Sequence, residues 1–434
     1  KKPESSCTGR SLPRPTRHRC TAPLDVDFDD TPEEAAWRVE CRDFLDAHAS
    51  RRDGAIDWSA SHWAIHPTVA EAEAARVAAA MWQTTKFEAG WAGLSWPSEF
   101  GGRGMSSHFN AIFAETEAAY DVPIGVYAQS IGMAGPTIIV HGNDDQKARY
   151  LEPMLRGIET WCQLFSEPNA GSDLAGLRTA GVIDGDEMIV TGQKVWTSNA
   201  IEAAHAMLLV RTDPDAPKHR GITYLLLDMT LPGIEIRPLQ QIDGRAEFNE
   251  VFLDEVRVPL DCVLGDVNAG WGPILTTLAN ERQSIGTAGR FGVADVVELA
   301  RAFEVAHRPT VRQQLARLVE MESTIRYLSY RVRTAASRGE LPGAESSVLK
   351  LAASRRLELQ GSLVMEIMGG AAMLAASDAH MNGFWQNASF LGQWMSRIGG
   401  GTDEIQRNIV GENVLGLPQE PRPDKGVAFR DIPI

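Results

Sequence analysis

Val182-Ile183-Asp184-Gly185-Asp186-Glu187-Met188-Ile189-Val190 is the stretch on which the fold turns. An Asp-Gly pair between two apolar, β-branched runs signals a tight hairpin. It predicts strands over 179–183 and 187–196. Downstream, Val, Ile, Leu and Phe recur over 206–211, 222–228, 233–238 and 248–258. Turn residues separate these runs about every ten residues, which predicts a small β-sandwich or barrel.

On either side of this module the period becomes helical. Thr31-Pro32-Glu33-Glu34 supplies an N-cap, a proline at the first helical position and acids in the first turn. A helix then runs through Trp37, Phe44 and Leu45. Further helices are predicted over 68–89, 106–120, 124–141 and 144–156. After Gly272 amphipathic patterns cover 272–288, 291–306, 310–338, 344–370 and 402–415, which predicts an antiparallel bundle. The fold class is therefore mainly α with a central β module. Its expected parts are a basic, disordered tail (1–30), an N-terminal helical domain (31–158), the β domain (159–266), a C-terminal helical bundle (267–417) and a loose tail (418–434).

The chain has 434 residues and a net charge of −15. At roughly 150 residues per domain this length suits about three domains. An acidic surface repels phosphate backbones, so nucleic-acid binding is not expected. The five cysteines (7, 20, 41, 162 and 262) form no CxxC pair, so neither a metal site nor a disulfide framework is expected. This usage points to a reducing, cytoplasmic compartment. No run of about 18 apolar residues suggests a membrane span, and no secretory h-region is seen at the start of the chain. Residues 1–20 carry six Lys/Arg against one acid and are excluded from the fold.

Three stretches carry chemistry. Phe165-Ser166-Glu167-Pro168-Asn169-Ala170-Gly171-Ser172-Asp173 puts hydroxyls and small residues in a loop entering the β module, where backbone N–H groups can approach a polar ligand. Trp196-Thr197-Ser198-Asn199 ends a strand with an aromatic ring next to hydroxyls. Gly399-Gly400-Gly401-Thr402-Asp403-Glu404 leads glycines into a helix start, a geometry that offers N–H groups to an oxyanion. Each alone also reads as an ordinary turn, core residue or helix start.

In this order and across this architecture the three resemble the acyl-CoA dehydrogenase family, over residues 31 to 417. Phe248-Asn249-Glu250-Val251-Phe252 and Arg257-Val258-Pro259 add to the likeness. The resemblance implies bound FAD and α,β-desaturation of an acyl thioester. By position it implies that Phe165 and Ser166 line the flavin, that Trp196 packs on its ring and that Ser198 reaches toward N5. It further implies that Thr402 and Glu404 approach FAD and that Ser172 lies near the substrate's pantetheine arm. An electron-transfer flavoprotein is the implied electron acceptor. A homo- or hetero-tetramer is the implied assembly.

The sequence also departs from the family. Many members carry their base as Glu in a Tyr-Glu-Gly-Thr motif, and Gly400 stands there instead. Glu281, on the helix predicted over 272–288, is the replacement candidate. It lies three residues after Leu278 and four before Ile285, on a stripe with Ile274 and Leu275. A subset of the family places its base on this helix in a matching Glu-Arg pair, here Glu281-Arg282, and those enzymes take long, branched or steroid side-chain substrates. A desolvated carboxylate suits α-proton removal, and the Gly400 N–H can still serve the thioester oxygen. The family's Arg-x-x-Phe-Gly segment is replaced by His307-Arg308-Pro309-Thr310-Val311-Arg312. Glu366 stands where a Gln usually precedes a Gly-Gly pair. These changes resemble actinobacterial α2β2 heterotetramers. Two other readings stay open: a flavin monooxygenase or oxidase of the same fold, and a non-catalytic subunit of a heteromeric dehydrogenase. The thioester is on CoA or on a carrier protein.

Overall fold

A computed structural model describes residues 30–52, 69–123, 127–285, 292–337, 345–374 and 378–432. The basic tail expected over 1–20 lies outside them. Helix α1 (Pro32–His48) is followed by a two-residue strand β1 (Ser50–Arg51), α2 (Val69–Glu88), α3 (Ser107–Glu117) and β2 (Tyr120–Asp121). Helices α4 (Gly135–His141) and α5 (Asp144–Arg156) complete this first helical layer. Its starts are built from local chemistry. Thr31 and Glu34 form a reciprocal capping box on α1, and Asn143 with Gln146 does the same on α5. Trp37, Phe44, Trp82, Trp91 and Phe113 stack into one aromatic core beneath these helices.

The middle of the chain is a seven-stranded curled sheet. Its strands are β3 (Trp161–Leu164), β4 (Ala180–Asp184), β5 (Glu187–Ser198), β6 (His205–Arg211), β7 (Ile222–Asp228), β8 (Ile234–Pro238) and β9 (Phe248–Pro259). The path runs β3-β6-β4-β5-β9-β8, with β7 paired to β6. The Asp184-Gly185 hairpin forms as the sequence requires, with Gly185 at φ +66°. Strand β3 is an addition to the expected set; at four residues it is too short to show a period, and it is held by parallel pairing to β6. Both faces of β6 are buried. Met207 and Leu209 join the core shared with α5, while Ala206, Leu208 and Val210 pack against Val251 and Val256 of β9.

The bundle comprises α6 (Trp271–Ile285), α7 (Val293–Ala302), α8 (Pro309–Ser337) and α9 (Glu345–Met368), then the short α10 (Gln393–Ile398) and α11 (Asp403–Ile409). Val296, Leu318, Leu363, Val364, Phe384 and Trp385 form its core. The residues between α9 and α11, which the helical periods passed over, include a π turn at Gln386–Leu391 and α10.

The expected loose tail is corrected. Residues 418–432 turn back onto the β module: Ala428 forms an antiparallel bridge with Pro217, and Phe429 is buried. Phe429 and its few apolar neighbours in a proline- and charge-rich segment set no period, so the docking was not readable from pattern. Among the described residues no helix is long and apolar enough to cross a membrane.

Candidate active site

The seam between β3 and α6 is the centre of the site. Helix α6 is fixed there by a buried hydroxyl chain. Thr277 Oγ1 lies 3.1 Å from Tyr224 Oη on β7 and 3.0 Å from Thr137 Oγ1 on α4. Ile274 and Thr277 are fully buried, and Glu281 lies one turn beyond Thr277 on the same face. Glu281 is partly buried, and its Oε2 accepts from Gln163 Nε2 at 3.4 Å. The expected apolar stripe is corrected at Leu275, which is 51% exposed. Thr277, not Leu275, marks the inward face; a hydroxyl gave no apolar signal. Gln163 and Thr277 were both missed in the sequence because neither polar side chain adds to an apolar period. The side chains of Arg282 and Ile285 lie outside the described set.

Two residues past Gln163 the strand delivers Phe165 and Ser166. Phe165 is buried edge-on against Tyr224, ring centroids 5.9 Å apart. Ser166 is half-buried, and its carbonyl accepts from Val195 N at 3.0 Å. This bond joins the loop to β5 beside Trp196. The pairing of β5 with β9 slips between Lys194 and Thr197, and Trp196 stands at φ +60° with 62% of its surface exposed. A left-handed, β-bulged tryptophan is strained, and such strain gathers at ligand sites. Its indole lies edge-on to Phe248, ring centroids 6.0 Å apart. Ser198, two residues on, is half-buried. An exposed indole with half-buried Ser166 and Ser198 on the adjoining loop and strand suits a flat, polar-edged ring system, so these residues fit FAD.

Beneath the loop lies a buried ion pair, which the sequence reading missed. Lys194 Nζ donates to Glu167 Oε1 at 2.8 Å and to the Phe165 carbonyl at 3.1 Å. Glu167 also accepts from the backbone N–H groups of Arg178 and Thr179. Burial opposes ionisation of Glu167, but Lys194 and these donors outweigh it and hold its pKa low. Burial pulls Lys194 down to about 8 despite its partner. Ser172, farther along, is exposed.

The glycine loop rests on a different support. Gly400 and Gly401 adopt φ +64° and +87°. Gln406 Nε2 donates to the carbonyls of Gly400 at 3.0 Å and Gly401 at 3.5 Å. Thr402 caps α11 by accepting from Ile405 N. Asp403 is anchored to Lys350 of α9 at 2.8 Å. Glu404 is exposed and pairs with Arg407. Arg308 and Arg312 are exposed, and Glu366 accepts from Gln314 across α8 and α9. The structure thus brings Glu281, Gln163, Phe165, Ser166 and the Trp196 strand together on one seam, and holds Gly400 to Glu404 from α9 and α11.

A curled sheet between two helical layers, with a carboxylate at one seam, is the architecture of a flavin-dependent oxidoreductase class. The acyl-CoA dehydrogenase N-terminal, middle and C-terminal domain models match residues 31–158, 162–256 and 268–415. The chain belongs to the acyl-CoA dehydrogenase family, whose members are FAD-dependent flavoproteins. Acyl-CoA dehydrogenase IpdE1 of Mycobacterium tuberculosis is 39% identical over 78% of this chain and 88% of its own length. Acyl-CoA dehydrogenase FadE34 of the same organism is 41% identical over 75% of this chain, which spans only 44% of that relative. Among solved structures, the Tcur3481-Tcur3483 steroid ACAD is 28% identical with a TM-score of 0.75, covering 91% of this chain and all of that one.

Proposed function

We propose that this chain catalyses α,β-dehydrogenation of an acyl-CoA with a long, branched or bulky acyl group, using Glu281 as the base. The observation that carries this is the position of Glu281 against Gln163, two residues before the Phe165-Ser166 segment. In that position the carboxylate is partly shielded and faces an amide donor at 3.4 Å. It takes the proton from the substrate α-carbon. FAD, when bound, supplies the acceptor for the β-hydrogen as hydride. The Gly400 N–H donates to the thioester oxygen, which gains charge as the α-proton leaves. Gln406 takes up the neighbouring carbonyls and keeps this turn in its left-handed form. Trp196 would cover the flavin ring, Ser166 and Ser198 would meet its edge, and Thr402 and Glu404 would approach FAD from the bundle. Ser172 would meet the pantetheine arm, and Arg282, next in sequence to the base, is the proposed substrate-binding cation. The steroid-acting structural relative supports a bulky acyl group, and glycine at 400 leaves room for one.

An electron-transfer flavoprotein is the proposed acceptor. Exposed apolar side chains on α10, Trp394 and Ile398, support assembly into a homo- or hetero-tetramer.

The test is the anaerobic visible spectrum of the purified flavoprotein, titrated with acyl-CoAs of straight, branched and polycyclic chains. Bleaching that is fastest with the bulky members is expected. A spectrum unchanged by every thioester overturns the proposal.

A further inference from the structure

The C-terminal segment is tied to the loop that carries Ser172 by two separate sets of contacts. The first is an ion bridge. Lys218 Nζ lies 2.5 Å from Asp424 and 3.2 Å from Asp173, the residue after Ser172. The second is a buried ring. Phe429 is 5% exposed, and its ring centroid lies 3.9 Å from Arg211 Cζ and 5.1 Å from Arg178 Cζ. Arg211 Nη2 donates to the Ala175 carbonyl at 2.7 Å, and Nη1 binds the Lys218 and Arg220 carbonyls. Arg178 N donates to Glu167. Backbone bonds from Phe429 N to Ala216 O and from Arg430 N to Pro214 O, at 2.9 and 3.0 Å, fix the register of the segment. The 167–178 loop is thus held at Asp173 by Lys218, which the tail pairs, and at Ala175 by Arg211, which the tail covers.

We propose that residues 424–430 are a strap that sets this loop in place to receive the thiol-carrier arm of the substrate, with Phe429 and Asp424 as positioning residues. The inference rests on the proposed function. Its physical content is selective. The loop meets the arm, remote from the α-carbon, so the strap contributes binding shared by ground and transition states. Loosening the loop therefore raises KM and leaves kcat alone. It also matters only for a substrate that has the whole arm.

The test uses the full-length flavoprotein and its Phe429→Ala, Asp424→Asn and Phe429→Tyr variants. Each is assayed with an acyl-CoA and with the N-acetylcysteamine thioester of the same acid, which lacks most of the arm. A cation–π contact of this depth predicts a KM for the CoA ester raised about tenfold in Phe429→Ala, with kcat within about twofold. The KM for the truncated thioester stays unchanged, and Phe429→Tyr matches the wild type. An unchanged KM, or an equal loss on both thioesters, overturns the strap. Should Phe429→Ala not fold, Asp424→Asn carries the test, with a rise of about two- to threefold expected for a partly exposed ion pair and no rise overturning the proposal. Should the wild type turn over no thioester, the functional reading fails and the strap is judged by hydrogen exchange. Faster exchange of the 167–178 amides in the variants supports it, and equal exchange refutes it.

Discussion

Gln163 Nε2 points at Glu281 Oε2 across 3.4 Å, linking a β-module strand to the first bundle helix. The bond is long for an amide donor and a carboxylate, which leaves it room to tighten around a substrate if Glu281 acts as the proposed base. Glu281→Gln should keep fold and flavin but slow flavin reduction by about 10²–10⁴-fold, the span of a lost general base. Gln163→Leu should cost less, on the order of tenfold, because the base survives without its guide. Single-turnover stopped-flow with one good acyl-CoA measures both. Near-normal reduction by Glu281→Gln would exclude this carboxylate as the base.

Glu167 and Lys194 form the buried support of the 167–178 loop, with side chains 9% and 0% exposed. Removing one partner strands a charge, so Glu167→Gln or Lys194→Met should each cost about 3–5 kcal/mol in urea unfolding. Replacing both, as Glu167→Leu with Lys194→Met, should recover much of that loss. The pH dependence follows from the depressed pKa of Glu167. A carboxylate of low folded pKa adds stability above its unfolded value, and that stability goes as pH falls through the folded one. Wild-type stability should therefore fall on acidification below the ordinary carboxylate range. In Glu167→Gln that part of the slope should be missing; an identical slope would mean that other carboxylates control acid unfolding.

The strand pattern and turn chemistry made the architecture legible, because Asp184-Gly185 and the helix starts at Thr31 and Asn143 are decided within a few residues. The site was legible only in part. Glu281 stood out because a carboxylate on an apolar helix face needs a reason. Gln163, Thr277 and Lys194 did not, because their roles come from partners 27 to 140 residues away along the chain, and a local period carries no trace of such distances. The tail was missed on the same ground: Phe429 is one ring in a polar stretch, and what buries it is Arg211 on β6.

Gly400 gives a third expectation. At φ +64° a β-carbon costs about 1–2 kcal/mol, so Gly400→Ala should be mildly destabilised. Its larger effect should be on kcat, because the relieved turn moves the N–H off the thioester oxygen. Loss of one such donor costs about 10²–10³-fold elsewhere. Gln406→Leu frees the same turn without adding an atom to it, and should lower kcat in the same direction but less. Parallel kcat and thermal-unfolding measurements separate the two effects. A drop in KM-controlled binding alone, with kcat intact, would remove Gly400 from the oxyanion role.

At Trp196 stability and the proposed flavin contact can be measured separately. Its left-handed backbone costs about 1–2 kcal/mol for a residue with a β-carbon, and the indole returns little, with 62% of its surface in water. Glycine removes that strain but adds about 0.5–1 kcal/mol of chain entropy to the unfolded state. Trp196→Gly apoprotein should therefore unfold within about 1 kcal/mol of wild type, unlike most large-to-glycine changes. Flavin retention should fall, because a stacked aromatic pair is worth about 0.5–1.5 kcal/mol beyond its area, a factor of two to ten in Kd. Trp196→Phe should sit between the two, keeping a smaller ring on the same strained backbone. Apoprotein melting and FAD titration by fluorescence quenching give the two numbers independently. A strongly destabilised Trp196→Gly apoprotein with unchanged flavin affinity would show that the indole packs for structure and leaves the ring to other residues.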